Sequence, residues 1–233
     1  MSAAKGNIEL VRSVPAFASL SDGELSALAL SVGSQTFERG ETIFHQGSAG
    51  SVLYIVVSGQ VRIYTTSESG QELSVGIMRA GDFFGELAVL DGNPRSASAQ
   101  AMCRTVTLTL DRAAFLQAIG ACPSVAAAIL GMMTTRLRQS TIYAEQLAGL
   151  TAAQRVVRQL IALAARSGVP ETGTTRIDLR LTQDDLASLS GTTRETVNRV
   201  LATLRDRGLI RVERARISIL NIARLGEADY IAD

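Results

Sequence analysis

The feature that most constrains this chain is a change of sequence texture near residue 120. From about Phe37 to Leu110, short runs of β-branched and aromatic residues alternate with glycines, as in SVLYIVV, QVRIYTT and TVTLTL. Short strands at this spacing, separated by turn residues, are typical of a small β-sandwich or barrel. From there to about residue 207 the pattern is helical. We therefore predict an α+β chain, with a small β-sandwich or barrel first and a helical region after it.

Length and cysteine content narrow the class of protein. The 233 residues suffice for two compact domains. Cys103 and Cys122 are too few for a disulfide framework, so we expect reduced thiols and a cytoplasmic location. The N-terminus carries Lys5 and Glu9 and has no apolar stretch, which argues against a signal peptide. No window approaches ~20 apolar residues without a charge, so we expect no membrane span.

The charge is unevenly distributed along the chain. Residues 1–150 hold 10 Lys and Arg against 12 Asp and Glu, whereas residues 151–220 hold 12 Arg against 7 acidic residues. A basic segment next to a mildly acidic one indicates that the C-terminal region meets a polyanion. A solvated arginine-rich face would give the same charge balance, so charge alone leaves both interpretations open.

Helix starts in this chain are marked by hydroxyl residues. Ser21 is followed by Glu24, Thr151 by Gln154 and Thr182 by Asp185, and each spacing is that of a capping box. These pairs predict a helix within residues 20–32, a second that ends near residues 167–168, and a short third one. The stretch ETGTTRIDLR is predicted to be a loop that leads into a short strand.

Two short helices with a glycine turn between them form the most specific pattern of the C-terminal region. The first, QDDLASLS, ends at Gly191, and the second, TRETVNRVLATLRDRG, is predicted to begin after Thr192 as N-cap, with Glu195 three positions later. This is the layout of a helix-turn-helix. LIRVERARISIL then alternates like a two-stranded hairpin, which predicts the wing of a winged helix.

The second of these helices carries residues suited to reading DNA. The side chains expected on its outer face are Arg194, Glu195, Asn198 and Arg199. Arginine can hold guanine with two hydrogen bonds, glutamate can accept from the cytosine amino group, and asparagine can bond adenine. Three hydroxyls are predicted to contact phosphates, which position a protein without reading sequence: Thr182, Thr193 and Thr196.

A long helix, predicted from about Ser124 to Leu147, carries a heptad seam. Its members recur at spacings of 4 and 3: Ala126, Leu130, Met133, Leu137, Ser140, Ala144 and Leu147. Such a seam pairs two helices in a coiled coil, so it predicts a homodimer. Packing of this helix against the chain's own β-domain is the alternative. Ser140 and its neighbour Thr141 would weaken an apolar seam, which indicates another role for these hydroxyls.

Segments in both halves of the chain resemble one superfamily. The segment RETVNR is similar to the recognition region of the catabolite activator and fumarate–nitrate regulator (Crp/Fnr) superfamily, and FGELAVLDGNPRSASA is similar to its phosphate-binding cassette. The resemblance runs from Phe17 to Leu220. It implies an α+β fold with a jelly-roll-like β-roll domain that binds a cyclic nucleotide at 1–122, a dimerisation helix and hinge at 123–150, and a winged helix-turn-helix DNA-binding domain at 151–233. Asn198 departs from the superfamily, where a glycine often stands, so the preferred half-site is expected to differ.

By this resemblance, a cyclic nucleotide is the allosteric ligand of a DNA-binding regulator. The sugar–phosphate site would consist of Gly85, Glu86, Leu87, Ala88, Arg95 and Ser96. Amides after Gly85 can donate to phosphate oxygens, and Arg95 supplies a fixed positive charge. Glu86 can accept from a ribose hydroxyl. Ser140 and Thr141 fall where superfamily members bind the purine, with the order of hydroxyls exchanged, so cAMP is expected and cGMP stays open.

Other chemistries lack the residues they need. Two cysteines cannot supply the about four ligands of an iron–sulfur cluster, and the single histidine, His45, cannot form a metal-binding cluster. We find no nucleophile–base arrangement, so we expect neither an enzyme nor a metal site. A differently liganded, redox-sensing or orphan regulator of the same superfamily remains open, as does a cyclic-nucleotide-binding module that regulates a partner protein. The wing arginines argue against such a module and favour DNA binding: Arg211, Arg214 and Arg216. By the resemblance, RNA polymerase is expected as a further partner.

Overall fold

A computed structural model describes residues 8–12, 17, 21–179, 181–213 and 216–227. The chain divides into two compact units, Met1–Gln139 and Ser140–Asp233. Within the described residues, no single helix is long and apolar enough to cross a membrane, although the bent pair Arg112–Ala121 and Pro123–Gly149 passes that test together on length and composition.

The first unit is built from short strands between short helices. Residues 8–12 form helix α1, and α2 is Asp22–Leu30. The strands are β1 (Val32–Phe37), β2 (Thr42–Phe44), β3 (Val52–Ser58), β4 (Gln60–Thr66), β5 (Glu72–Arg79), β6 (Phe83–Phe84), β7 (Ser98–Ala101) and β8 (Thr105–Asp111). Helix α3 (Glu86–Asp91) lies between β6 and β7 in the chain, and α4 (Arg112–Ala121) leads to the long helix α5 (Pro123–Gly149).

Two antiparallel four-stranded sheets confirm the predicted β-roll. Their strand orders are β1-β8-β3-β6 and β2-β7-β4-β5. Buried residues alternate along much of β3 and β4, as expected for strands with one face on a core. One apolar cluster joins the first sheet to α2, α4 and the start of α5, through Leu53, Leu108, Leu25, Phe115 and Ile129. A second, smaller cluster contains Val56, Val61, Phe84 and Ala99.

The predicted capping box at Ser21 is present, and it reaches further than the sequence shows. The Ser21 hydroxyl accepts from the Glu24 amide, and the Glu24 carboxylate accepts from Ser21. The same carboxylate accepts from the thiol of buried Cys122, 2.9 Å away. The Cys122 bond first, and the Ser21 bonds second, lower the pKa of Glu24 to about 2, because hydrogen bonds to the charged form stabilise it. The pKa of Cys122 is raised in return, because its thiol donates to this carboxylate.

The long helix α5 separates its buried stripe from its heptad seam. Val125 and Ile129 are buried in the first core, with Met132 and Met133 packed against it. Two seam residues, Leu130 and Leu137, remain 65% and 68% exposed. Packing against the chain's own β-domain therefore accounts for Met133 but not for these leucines.

The second unit combines helices with a third antiparallel sheet. Its elements are α6 (Ala152–Ser167), β9 (Gly168–Glu171), β10 (Thr174–Ile177), α7 (Gln183–Ser190), α8 (Arg194–Asp206), β11 (Ile210–Glu213), β12 (Arg216–Ile219) and α9 (Ile222–Glu227). The strand order is β11-β12-β10-β9, and β11–β12 is the predicted wing hairpin. No strand was predicted at the position of β9, which contains Pro170. Proline is tolerated there because β9 lies at the edge of the sheet.

The capping boxes at Thr151 and Thr182 are confirmed, but the predicted N-cap at Thr192 is wrong by one residue. The N-cap of α8 is Thr193, whose backbone is extended and whose hydroxyl accepts from the Thr196 amide. Gly191, in the left-handed conformation, ends α7, and the Thr192 amide donates to the Ala187 carbonyl at 3.0 Å. Thr192 therefore closes the preceding helix and cannot also cap the next one.

Candidate ligand site and nucleic-acid interface

A tight turn after β6 builds the first part of the candidate ligand site. Gly85, with φ of 78°, is the N-cap of α3, and Gly92, with φ of 76°, ends this helix after six residues. Glu86 and Ala88 are buried, whereas Leu87 is exposed. A Cβ on Gly85 would lie 2.5 Å from Nη1 of Arg95, so the turn requires glycine for space as well as for its backbone conformation.

Arg95 lies against this turn and is only 5% exposed. Its Nη1 donates to the Gly85 carbonyl and its Nη2 to the Val52 carbonyl, both at 2.7 Å. The guanidinium carbon lies 4.2 Å from the centre of the Phe44 ring. Burial lowers the pKa of Arg95, but nearby Tyr54 and Glu86 oppose the shift, and an arginine stays charged at neutral pH. The structure thus presents a buried cation in a fixed position, which is suited to binding an anion.

Glu86 is paired with an arginine that the sequence analysis did not single out. Nη1 of Arg136, on α5, lies 2.9 Å from Oε1 of Glu86. Arg136 also donates to the Phe83 carbonyl and lies over the Phe83 ring, 4.7 Å from its centre. A ligand hydroxyl at Glu86 would share the carboxylate with this guanidinium, since a carboxylate accepts several hydrogen bonds.

A signal for Arg136 was present in the sequence. It follows Val125, Ile129 and Met132 at spacings of 4, 3 and 4, on the stripe of α5 that packs against the core. An arginine that continues an apolar stripe needs a buried partner. The partner lies 50 positions away in the chain, so the sequence alone does not identify it as Glu86.

The remaining predicted ligand residues are exposed. Ser96 follows Arg95 in the bend before β7. Ser140 and Thr141 lie on α5 and belong to the second unit. Of the predicted ligand residues, Gly85 and Arg95 lie together, and Glu86 directly follows Gly85 in the chain. Among the described residues, no group of three or more His, Cys, Asp or Glu is placed to hold a metal ion.

The helix-turn-helix is held together by one arginine of α6. Arg155 donates to the carbonyls of Ser190 and Gly191 at the end of α7, and to that of Leu150 just after α5, at 2.8 to 2.9 Å. These carbonyls lie where a helix has no partners of its own, so a cation there stabilises both helix ends. No sequence motif marks Arg155 for this role.

Helix α8 presents the predicted polar face to solvent. Val197, Val200, Leu201 and Leu204 are buried beneath it. The exposed residues are Arg194, Glu195, Asn198 and Arg199, and Thr196 is half-buried beside them. Backbone and Thr193 hydrogen bonds lower the pKa of Glu195, with help from Arg194, so its carboxylate is an ionised acceptor at neutral pH.

Two of the three threonines predicted to meet phosphates, Thr182 and Thr193, already serve as helix caps. The Thr182 hydroxyl donates to the Asp185 carboxylate at 2.7 Å and accepts from the Asp185 amide. The Thr193 hydroxyl accepts from the Thr196 amide at 3.3 Å. A phosphate at these helix starts would meet backbone amides as well as the hydroxyls.

Two of the wing arginines are described by the structure. Arg211 on β11 and Arg216 on β12 are both exposed, and Nε of Arg211 lies 3.8 Å from the Glu213 carboxylate. Arg214 lies outside the described residues. The exposed cations of α8 and the wing thus belong to one unit, which carries the basic segment of the sequence.

Comparison with known families agrees with this arrangement. The cyclic nucleotide-binding domain family matches residues 34–121, and the Crp-like helix-turn-helix domain family matches residues 154–228. A CRP-like cAMP-activated global transcriptional regulator of Mycobacterium tuberculosis is 34% identical over 217 residues, 93% of this chain and 97% of that protein. The Cyclic AMP receptor protein of Thermus thermophilus is 33% identical over 93% of this chain and 97% of its own length.

A solved structure shows the same fold. The structure of FixK2 from Bradyrhizobium japonicum has a TM-score of 0.74 and 25% sequence identity, and the match covers 87% of this chain and 99% of that one. Since relatives above 30% identity span nearly the whole chain and both domains match their families, the chain belongs to the Crp/Fnr family of transcription regulators, with a cyclic nucleotide-binding domain followed by a Crp-like helix-turn-helix domain.

Proposed function

We propose that this chain is a DNA-binding transcription regulator whose affinity for DNA is controlled by a cyclic nucleotide, with cAMP as the first candidate. The observation that carries the proposal is the buried guanidinium of Arg95, fixed beside the Gly85 turn in a domain of the cyclic nucleotide-binding family. A permanently charged group held in a protein interior is suited to a phosphodiester anion.

The roles of the site residues follow from their chemistry. Arg95 binds the cyclic phosphate, with the Ser96 hydroxyl and the amides after Gly85 as further donors. Glu86, oriented by Arg136, accepts from the ribose hydroxyl. Leu87 and Ala88 continue the cassette backbone. Ser140 and Thr141 meet the purine, and their exchanged order leaves cGMP as the alternative ligand. Two relatives named for cAMP support cAMP as the first choice.

DNA binding requires two copies of the chain. The exposed seam leucines of α5, Leu130 and Leu137, supply a surface for a second α5. A dimer presents two α8 helices to successive major grooves, about 34 Å apart. Arg194, Glu195, Asn198 and Arg199 read base edges, while Thr182, Thr193 and Thr196 contact the backbone. Such a protein acts with DNA and RNA polymerase in the cytoplasm, and no catalytic step belongs to its role.

Nucleotide control is a difference in affinity between two arrangements of the dimer. A ligand shifts such an equilibrium only as far as it binds one arrangement more tightly than the other. The nucleotide therefore has to contact groups that differ between the two arrangements. Helix α5, which carries Arg136 as well as Ser140 and Thr141, is the element on which we place that difference.

Calorimetry of the full chain with cAMP and with cGMP tests the nucleotide half of the proposal. Arg95→Ala should weaken binding by at least about tenfold, because a charge-assisted hydrogen bond contributes about 1.5–3 kcal/mol. Arg104→Ala is the matched control, since Arg104 is an exposed arginine of the same unit, 3.6 Å from Glu38. Equal nucleotide affinity of the wild type and Arg95→Ala would overturn the proposed role of Arg95 and, with it, the proposed nucleotide control. Binding of cGMP alone would favour the alternative ligand, and binding of neither would favour an orphan regulator.

A further inference from the structure

The loop between β2 and β3 is hydrogen-bonded to the backbone of Arg95. The Gly47 amide donates to the Arg95 carbonyl, and the Arg95 amide donates to the Ser48 carbonyl, both at 2.8 Å. Residues 45–51 are therefore tied to the Arg95 backbone by a reciprocal pair of hydrogen bonds. The same loop carries Gly50, which has no role in the cassette motif.

Gly50 leaves no room for a side chain. A Cβ at this position would lie 2.5 Å from Cζ and 2.8 Å from Cδ of Arg95, with Nε closer still. The φ angle of Gly50 is outside the left-handed region, so a positive φ is not the reason for a glycine here. The requirement for glycine is thus set by the Arg95 side chain and not by backbone strain.

Arg95 cannot move aside without losing contacts. Its two terminal nitrogens donate to the Gly85 and Val52 carbonyls, and its guanidinium carbon lies over the Phe44 ring. Its Nε is buried and, among the described residues, has no hydrogen-bond partner. The Gly50 backbone covers this edge of the guanidinium. Of the five N–H groups of the guanidinium, two donate to carbonyls and a third, on Nε, is covered. An anion that binds to Arg95 therefore has to accept from the two that remain.

We propose that Gly50 is a positioning residue of the phosphate site. Its missing side chain lets the Arg95 guanidinium lie in a slot formed by Gly50, Gly85 and Phe44, and this slot fixes which of its N–H groups face a cyclic phosphodiester. Gly50 acts only through Arg95 and does not touch the ligand. The ligand part of this inference rests on the proposed function, whereas the slot itself does not.

The test is a double-mutant cycle in the full chain, with Gly50→Ala, Arg95→Ala and the double variant. In the wild-type background, Gly50→Ala should lower Tm by roughly 4 °C or more, because it displaces a bonded arginine. In the Arg95→Ala background the same substitution should leave Tm unchanged, because the space is then free. Gly120→Ala is the matched control, since Gly120 lies in the same unit and nothing is within 4 Å of its Cβ position.

Nucleotide binding gives the second measurement. Gly50→Ala should weaken the binding of cAMP or cGMP by at least about tenfold, while Gly120→Ala should not. An equal loss of Tm in both backgrounds would overturn the proposal, because the new Cβ would then conflict with something other than Arg95. Unchanged Tm together with unchanged nucleotide affinity would overturn it as well. If the wild type binds neither nucleotide, the proposed ligand is wrong, and the Tm cycle still decides whether Gly50 positions Arg95.

Discussion

Arg95, Arg136 and Arg155 show how single residues organise this protein. Each donates to at least one backbone carbonyl of its own unit, and each lies beside a predicted functional element. A guanidinium has five donors in a fixed plane, so it can hold a turn or a helix end and still offer hydrogen bonds to a ligand. Only Arg95 was predicted as a site residue, because only its neighbours in sequence form a motif.

Arg199 is expected to contribute sequence preference, whereas Arg216 contributes charge. Both are exposed, on α8 and on the wing strand β12 respectively. Arg199→Ala should cost about 1–3 kcal/mol of binding to a specific duplex and relax the preference for one base pair. Arg216→Ala should weaken binding to all duplexes similarly and reduce the salt slope by about 1. Anisotropy titrations at several salt concentrations check both, and the same behaviour in both variants would contradict the assignment.

Glu24 provides a prediction about pH. Its pKa is lowered to about 2 in the folded chain from an ordinary value of 4.5, so the ionised carboxylate stabilises the folded state. This contribution is complete above about pH 4.5 and is lost as the pH falls towards 2. In thermal melts, the Tm of the wild type should exceed that of Glu24→Gln most above pH 4.5, and the difference should shrink below it. A difference that stays constant from pH 6 to pH 3 would contradict the account.

Among the elements, capping was predictable and long-range pairing was not. Ser21, Thr151 and Thr182 cap their helices as the sequence predicts. A capping box depends only on residues within a stretch of four, so it can be recognised from the local sequence. The prediction at Thr192 was wrong because Gly191 and Thr192 together end α7. A local sequence motif does not distinguish a threonine that ends one helix from a threonine that caps the next. Strand β9 was missed because proline lowers strand propensity, although it is harmless at a sheet edge.

Helix α5 carries the dimer prediction. Leu137 is 68% exposed on its seam, and a charge there would have to be buried in a helix pair. Leu137→Glu should therefore shift the chain from dimer to monomer at micromolar concentration, as measured by sedimentation velocity. Leu30→Glu is the control, because Leu30 is 81% exposed at the end of α2. If the Leu137→Glu variant stays dimeric, or if the wild type is monomeric, the prediction that the α5 seam forms the dimer is wrong.

At the scale of the whole molecule, the order of the domains follows from the sequence and the details of the site do not. Strands separated by glycines, a heptad helix and a helix-turn-helix each have a local sequence pattern, so the sequence predicts them in their order along the chain. The contacts that hold Arg95 and Glu86 join residues 43 and 50 positions apart. Such contacts depend on how the sheets and α5 come together, and local patterns do not encode them.

The measurement that tests the central claim most directly is DNA affinity with and without the nucleotide. Labelled duplexes from upstream of neighbouring genes are titrated with the full chain, alone and with saturating cAMP or cGMP. We predict that one nucleotide lowers Kd about 5- to 150-fold, the usual range of allosteric coupling, and that Arg95→Ala removes this effect. A wild-type chain that binds the same duplex equally well with and without either nucleotide would contradict the account.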